Sequence, residues 1–112
     1  MDYLQETYED VLVQVVDLTR ATLKEADEFK YSLTKSIEQG YHKIVVDLSL
    51  CEFIDSSFLG ALVVSLKKVT AMGGDLRLVG FHPAVQSMME LTRMNKIFES
   101  FPTVEAAIKS FD

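Results

Sequence analysis

The chain has 112 residues, of which 48% are hydrophobic, so it can bury one hydrophobic core and we expect a single domain over residues 1–112. Its formal net charge of −6 argues against nucleic acid and against anionic membrane surfaces as partners. Neither a signal-peptide pattern nor an apolar stretch near the roughly 20 residues that span a bilayer occurs, which predicts a cytoplasmic protein without direct membrane contact.

Two strands are predicted at the N-terminus, Tyr3–Tyr8 and Val11–Val16, separated by the turn-prone pair Glu9-Asp10. Because a parallel pair needs a crossover of about a dozen residues or more, two strands this close must pair antiparallel. The chain is therefore expected to begin with a β-hairpin.

A helix is predicted to follow Thr22 and to end at Gly40, since glycine readily adopts the left-handed conformation common after helices. Its inward face is expected to carry the apolar residues at three- and four-residue spacing, which are Leu23, Ala26, Phe29, Leu33 and Ile37. The mostly β-branched run Lys43–Leu48 then indicates a central strand that is buried on both faces. Strand, helix and strand in this order predict a right-handed crossover with a parallel pair.

The chain changes from a strand pattern to a helix pattern across residues 51–62. Cys51 is the only cysteine, which excludes an internal disulfide, and we expect it to be a small buried side chain. Asp55, Ser56 and Ser57 are residue types that cap helices, so the helix should begin at Ser56 or Ser57. Its apolar stripe consists of Leu59, Leu62, Val63, Leu66 and Val69. The helix is predicted to run to about Met72 and to stop at Gly73-Gly74.

The two serines at this helix start have two possible interpretations. The first is a helix cap and nothing more, because such triplets begin many helices. The second is a phosphate-bearing site, since aligned peptide dipoles and free N–H groups at a helix N-terminus favour negative charge.

The rest of the chain continues the alternation of strands and helices. A strand is predicted over Asp75–Gly80, and a helix that begins near Pro83 has Val85, Met88 and Met89 on its inner side. That helix ends within Leu91–Phe98, a short strand lies around Ile97–Phe101, and a last helix follows Pro102-Thr103. The expected fold is α/β, with a small mixed sheet that has an N-terminal antiparallel hairpin and then parallel strands, and about four helices packed against it.

One segment carries a family resemblance. Ile54–Leu62, preceded by Lys43–Ser49, resembles the signature of STAS domains, the family of bacterial anti-sigma-factor antagonists. Further blocks fall at the spacings of that family, namely Met72–Gly80, Leu91–Phe98 and Thr103–Ile108. In that family the serine directly after the signature aspartate accepts the phosphate. The resemblance therefore implies Ser56 as the phosphoacceptor, with Ser57 as the alternative.

Three positions depart from the family pattern. Phe58 stands where a glycine is usual, Arg93 stands where a glycine is frequent in the later block, and Thr19 stands where many antagonists carry an aspartate. The signature also implies Asp55, Ser57, Phe58 and Gly60 as partner-binding residues. The Phe58 ring can either pack beneath the loop or anchor a partner at the surface, and we favour the anchor, because aromatic residues are enriched among binding hot spots.

The resemblance implies a binding module and not an enzyme, without catalytic residues, cofactor or metal. Its unmodified form would bind an anti-sigma factor with serine-kinase activity, phosphorylation of Ser56 would release that partner, and a phosphatase would restore binding. We expect a monomer or weak dimer. The alternative is a non-switching STAS subunit of a larger assembly, such as a transporter accessory subunit or a stress-signalling scaffold. No Gly-x-Ser-x-Gly elbow and no phosphate-binding P-loop occurs to support a hydrolase or a nucleotidase.

Overall fold

A computed structural model describes residues 4–112 of the chain. Its strands are β1 (Leu4–Tyr8), β2 (Val11–Val15), β3 (Arg20–Ala21), β4 (Lys43–Asp47), β5 (Phe53–Ile54), β6 (Asp75–Val79) and β7 (Ser100–Phe101). Its helices are α1 (Leu23–Glu38), α2 (Ser56–Ala71), α3 (Pro83–Leu91) and α4 (Val104–Lys109), with a 3-10 turn at Met94–Lys96. Tyr3, which was predicted to open the first strand, lies outside the described residues.

Five strands form one mixed sheet in the order β1-β2-β4-β6-β7. The hairpin of β1 and β2 is antiparallel, with Tyr8 opposite Val11, and every later pair in this sheet is parallel. The predicted fold class is confirmed, as is the parallel crossover from β2 through α1 to β4.

The sheet has a core on each of its two faces. One face packs against α1, α2 and α3, and its buried residues include Phe29, Leu33, Leu62 and Val85. The other face is covered by α4 and buries a smaller cluster around Val13, Val45, Val79 and Ala107. Because side chains on a strand alternate between faces, Ile44 and Val46 belong to the first core and Val45 to the second. The predicted burial on both faces is confirmed for the apolar residues of this run, while Lys43 and Asp47 are partly exposed.

A second, two-stranded sheet joins the starts of two helices, and the sequence analysis did not predict it. Its strands β3 and β5 are parallel, with Arg20 opposite Phe53 and Ala21 opposite Ile54. Each strand leads into a helix within two residues, so the pairing brings the N-termini of α1 and α2 side by side. Strands of two residues carry too little periodicity to be recognised in a sequence.

One local expectation needs correction. Leu23 was placed on the inward face of its helix, yet its side chain is 67% exposed. It is the first residue of α1 and lies at a surface groove between α1 and α2 instead of in the core. The third helix ends at Leu91, the first residue of the range in which its end was predicted. Arg93 then adopts the left-handed conformation with φ of 62°, which explains why a glycine is frequent at this position in the family.

Candidate functional site

Asp55 connects two helix N-termini through its carboxylate. It is the N-cap of α2, where its Oδ1 accepts a hydrogen bond of 2.9 Å from the backbone N–H of Phe58. Its Oδ2 accepts a second hydrogen bond of 2.9 Å from the backbone N–H of Leu23, the first residue of α1. Both N–H groups would otherwise lack an intrahelical acceptor, and a negative charge is favoured at each helix start. One side chain therefore fixes the relative position of both helices.

The start of α1 is closed by a second interaction. Its N-cap is Thr22, whose backbone N–H donates to Oε1 of Glu25 at 2.8 Å, as in a capping box. The backbone N–H of Asp55 also donates to the carbonyl of Ala21 at 3.2 Å. The loop before α2 is thus held by main-chain bonds from the first crossover.

The two candidate phosphoacceptors differ in their exposure. Ser56 is the first residue of α2 and is exposed, whereas Ser57 is partly buried. Within residues 4–112, no side chain or carbonyl hydrogen-bonds the hydroxyl of Ser56. In the first turn of α2 the backbone N–H of Phe58 is bonded to Asp55, which leaves the N–H groups of Ser56 and Ser57 for a group added at Ser56.

The Phe58 ring lies in the core and is fully buried. It packs against Phe29 of α1, with ring centroids 4.6 Å apart and the planes inclined by 41°. The expectation that this ring anchors a partner at the surface is wrong. The ring packs beneath the loop, which was the alternative. At the third position of α2 the side chain points toward α1 and the sheet, and not along the helix axis toward solvent. No sequence signal distinguishes the two directions.

A small groove of about 210 Å³ lies between α1 and α2 next to the signature. We call it the α1–α2 groove, and it is lined by Leu23, Ala26, Asp27, Lys30, Ser57, Gly60, Ala61 and Val64. Gly60 is exposed, and a Cβ added there would have no neighbour within 4 Å. Leu23 and Val64 present 67% and 46% of their surface to solvent. Leu23 is a residue that the sequence analysis missed, because a first-turn leucine at helical spacing is expected to face the core.

The segment between β4 and β5, which leads to the site, is fixed by a buried side chain and by hydrogen bonds. Cys51 is fully buried, as expected, and burial raises the pKa of its thiol, so the side chain stays protonated and apolar. The side chain of Asp47 accepts from the backbone N–H of Ser49 at 2.9 Å, and Nε2 of His82 lies 2.6 Å from the Ser49 carbonyl. Both contacts fix the loop between β4 and β5.

Thr19 takes part in positioning the loop through its backbone. Its carbonyl accepts from the N–H groups of Glu52 and Phe53, at 2.8 and 3.2 Å, while its side chain is exposed. The guanidinium of the next residue, Arg20, lies 4.3 Å from the centre of the Phe53 ring. The position where many family members carry an aspartate therefore borders the signature loop in space.

Residues 4–112 hold no group of three or more His, Cys, Asp or Glu side chains that could ligate a metal ion. In the same range, no helix has both the length and the apolar character needed to cross a membrane.

Comparison with known proteins gives one consistent family. The STAS domain family model matches residues 7–107. A Thermotoga neapolitana protein described as a candidate anti-sigma factor antagonist is 32% identical over 80 residues, which is 71% of each chain.

Two solved structures share this fold. The crystal structure of a candidate anti-sigma factor antagonist from Thermotoga maritima superposes with a TM-score of 0.89 and 27% identity, over 96% of this chain and 92% of that one. The phosphorylated form of the Bacillus cell fate determinant SpoIIAA has a TM-score of 0.77 at 17% identity, over 99% and 100% of the two chains, which shows the fold alone. On this basis the chain belongs to the STAS-domain family of anti-sigma-factor antagonists.

Proposed function

We propose that this protein is a phospho-switched binding module. In its unmodified form it binds an anti-sigma factor with serine-kinase activity and so frees the sigma factor. Phosphorylation of Ser56 by that partner ends the binding, and a phosphatase restores it. The observation that carries this proposal is the exposed Ser56 hydroxyl, which follows the Asp55 cap and lies at the N-terminus of α2 beside the α1–α2 groove.

The chemistry requires a separate kinase. A serine hydroxyl is a weak nucleophile unless a neighbouring base activates it, and within residues 4–112 no histidine or carboxylate hydrogen-bonds Ser56. The domain contributes a rigid, exposed acceptor, and the partner contributes the catalytic groups. Since the proposed partner, an anti-sigma factor, acts on transcription, we place the protein in the cytoplasm, as one domain that is a monomer or weak dimer.

The phosphate would act by charge. It adds about −1.5 to −2 charges and three acceptor oxygens to a surface that binding would remove from water. Asp55 already places one carboxylate beside this position, so a partner that accommodates the unmodified loop meets a much more negative surface after modification. SpoIIAA, a protein of the same fold, has been solved in both an unphosphorylated and a phosphorylated form.

Phosphate labelling with the cognate kinase and ATP tests the acceptor. We expect one phosphate on the wild-type protein and on Ser57→Ala, and none on Ser56→Ala. Label that remains on Ser56→Ala at the wild-type rate would move the acceptor to Ser57 or refute the switch.

The contact surface can be tested through Leu23. In place of Phe58, we propose that Leu23 and Val64 provide the apolar contact beside Ser56, together with Ser57 and Gly60. Leu23→Ala should weaken binding of the anti-sigma factor with little change in stability, because the side chain is mostly exposed. Tyr31→Ala is the matched control, since Tyr31 is 66% exposed on the same helix but lies outside this groove. Equal losses in both variants would exclude the α1–α2 groove as the contact.

The second candidate function is a non-switching subunit of a larger assembly. Thr19, in place of the family's usual aspartate beside the signature loop, is the observation that favours it. Proteins captured from native cytosol decide between the two candidates. A histidine-kinase-like ATPase supports the switch, whereas transporter or scaffold subunits support the second candidate.

A further inference from the structure

A larger groove lies on the opposite side of the sheet from Ser56. Its volume is about 700 Å³, and it lies between the β1–β2 hairpin, the start of β4 and the short helix α4. We call it the hairpin groove. Its apolar floor is formed by Val11, Val15, Val104 and Ile108. It exists because α4 has only six residues and covers β4, β6 and β7 but leaves the hairpin side of this face uncovered.

The rim of the hairpin groove is strongly acidic. Six carboxylates line it, from Glu6, Glu9, Asp10, Asp47, Glu105 and Asp112, against the two ammonium groups of Lys43 and Lys109. Lys43 is already paired with Asp10 at 2.8 Å, so it neutralises one of the six. The groove therefore combines an apolar floor with an excess of negative charge.

These carboxylates raise the pKa of neighbouring groups. The pKa of Tyr8 is raised, first by its hydrogen bond to Glu6, then by the charge of Glu6, by burial and by the charge of Glu105. The pKa of Lys43 is raised by its contact with Asp10 and also by the charges of Asp112 and Glu9. Residues from the hairpin, from α4 and from the end of the described chain thus act on the same space, and all of them favour a cation there.

The charge and shape of the hairpin groove indicate which class of molecule can bind there. A second copy of this chain would bring two acidic rims and two chains of charge −6 together, which like-charge repulsion opposes. Nucleic acid is excluded by the same sign. The groove is open to solvent and is not an enclosed cavity, whereas small-molecule sites usually enclose most of their ligand. A segment of another protein fits this shape better.

We propose that the hairpin groove binds a basic amphipathic segment of a partner protein, whose apolar side chains contact Val11, Val15, Val104 and Ile108 and whose Lys or Arg side chains pair with the rim carboxylates. This site is separate from the phosphoacceptor surface, because the sheet lies between them. The protein can then hold this segment and an anti-sigma factor at the same time, and the state of Ser56 does not affect the segment. The inference does not depend on the proposed switch.

A short synthetic peptide in which leucine and lysine alternate is the probe. Titrated into the full chain and followed by methyl and amide NMR, it should shift the resonances of Val11, Val15, Val104 and Ile108 and leave those of Ser57 and Gly60 in place. A peptide in which glutamate replaces each lysine should not bind. Ser56→Asp should bind the basic peptide as the wild type does.

Charge-reversal variants distinguish binding in the hairpin groove from general attraction of a basic peptide to an acidic protein. Glu9→Lys combined with Asp112→Lys alters two exposed rim residues outside any helix or strand, and should weaken peptide binding roughly tenfold or more. Glu90→Lys combined with Glu99→Lys makes the same change in net charge away from the groove, and should weaken it by less than about threefold.

Three results would overturn the proposal. Equal losses in the two double variants, or shifts scattered over the surface, would mean that binding is unspecific. Binding of the acidic peptide would remove the charge argument. Concentration-dependent dimerisation that shifts the same valine and isoleucine methyl groups without peptide would assign the groove to a second copy of this chain.

Discussion

Asp55 shows how one residue serves both the fold and the candidate site. Its two carboxylate oxygens accept from the backbone of Phe58 in α2 and of Leu23 in α1, each at 2.9 Å. The residue before the proposed phosphoacceptor therefore also determines where the first apolar residue of α1 lies. As a result, the first residues of α1 and α2, Leu23 and Ser56, belong to helix starts that lie side by side.

The double cap predicts an unusually large effect of removing Asp55. Asp55→Ala should lower the free energy of unfolding by about 1–3 kcal/mol, because a lost N-cap costs about 0.5–2 kcal/mol and the second hydrogen bond adds about 1. Asp55→Asn keeps one acceptor oxygen and should lose less. Urea unfolding measures both. The control is Thr103→Ala, which removes a cap with a single bond, to Ala106 at 3.1 Å. A smaller loss for Asp55→Ala than for the control would contradict the double-cap role.

Burial of Phe58 makes it a stability residue. Phe58→Ala should cost about 3–5 kcal/mol, the usual range when a core phenylalanine is truncated, since its ring is fully buried against Phe29. Phe58→Leu refills part of the space and should cost less. Thermal unfolding gives the order of the three proteins. If Phe58→Ala melted near the wild-type temperature yet lost partner affinity, the ring would have to reach the surface in solution.

At the scale of elements, the two-residue strands β3 and β5 have a large effect for their size. They align the starts of α1 and α2, and the main chain of Thr19 and Ala21 binds the loop before α2. The loop that leads to Ser56 is therefore anchored by backbone hydrogen bonds to Thr19 and Ala21. Phosphorylation of such an anchored loop would change its charge while leaving its backbone in place.

Two glycines in neighbouring elements should respond in opposite ways to alanine. Gly60 lies inside α2 with open space at its Cβ position, so Gly60→Ala should stabilise the protein by up to about 1 kcal/mol through helix propensity. At Gly74, before β6, a Cβ would lie 2.0 Å from the carbonyl oxygen of His42, so Gly74→Ala should be clearly destabilising. Calorimetry of both variants tests this. The same Gly60→Ala protein, if stable but weaker in partner binding, would support contact at the α1–α2 groove.

For the whole molecule, the sheet separates two surfaces of different character. The face with α1 and α2 presents Ser56 beside a small groove, and the face with α4 presents an acidic groove more than three times as large. Phosphorylation of Ser56 would add negative charge to a chain whose formal net charge is already −6. Its effect is expected on association and much less on folding.

The switch should therefore operate without unfolding. Ser56→Asp should abolish capture of the anti-sigma factor, with a loss of roughly a hundredfold or more, because like charges at an interface cost several kcal/mol. Its melting temperature and circular dichroism should stay near wild type, since charge at an exposed helix start contributes only about 0.3–1 kcal/mol. Ser56→Ala should bind permanently. Binding of Ser56→Asp and of the phosphorylated protein at wild-type affinity would exclude the switch.

The sequence was sufficient for the fold class and for the position at which α2 begins. The β-branched run Lys43–Asp47, the closely spaced hairpin strands and the capping types at Asp55 and Ser56 are local signals, so periodicity and turn chemistry revealed them. Together with the signature, they led to the STAS family and to the start of α2 at Ser56.

Only the tertiary structure decided which side chains reach the surface of the site. Whether Phe58 faces the core and Leu23 faces solvent depends on how α1 and α2 pack, and that packing is set by β3, β5 and the double cap of Asp55. These are contacts between residues some 30 positions apart, as with Leu23 and Asp55. Helical spacing records only the direction of an apolar side chain relative to its own helix. It carries no information about what the neighbouring helix covers. The packing of α1 against α2 therefore decides that Phe58 is buried and Leu23 exposed.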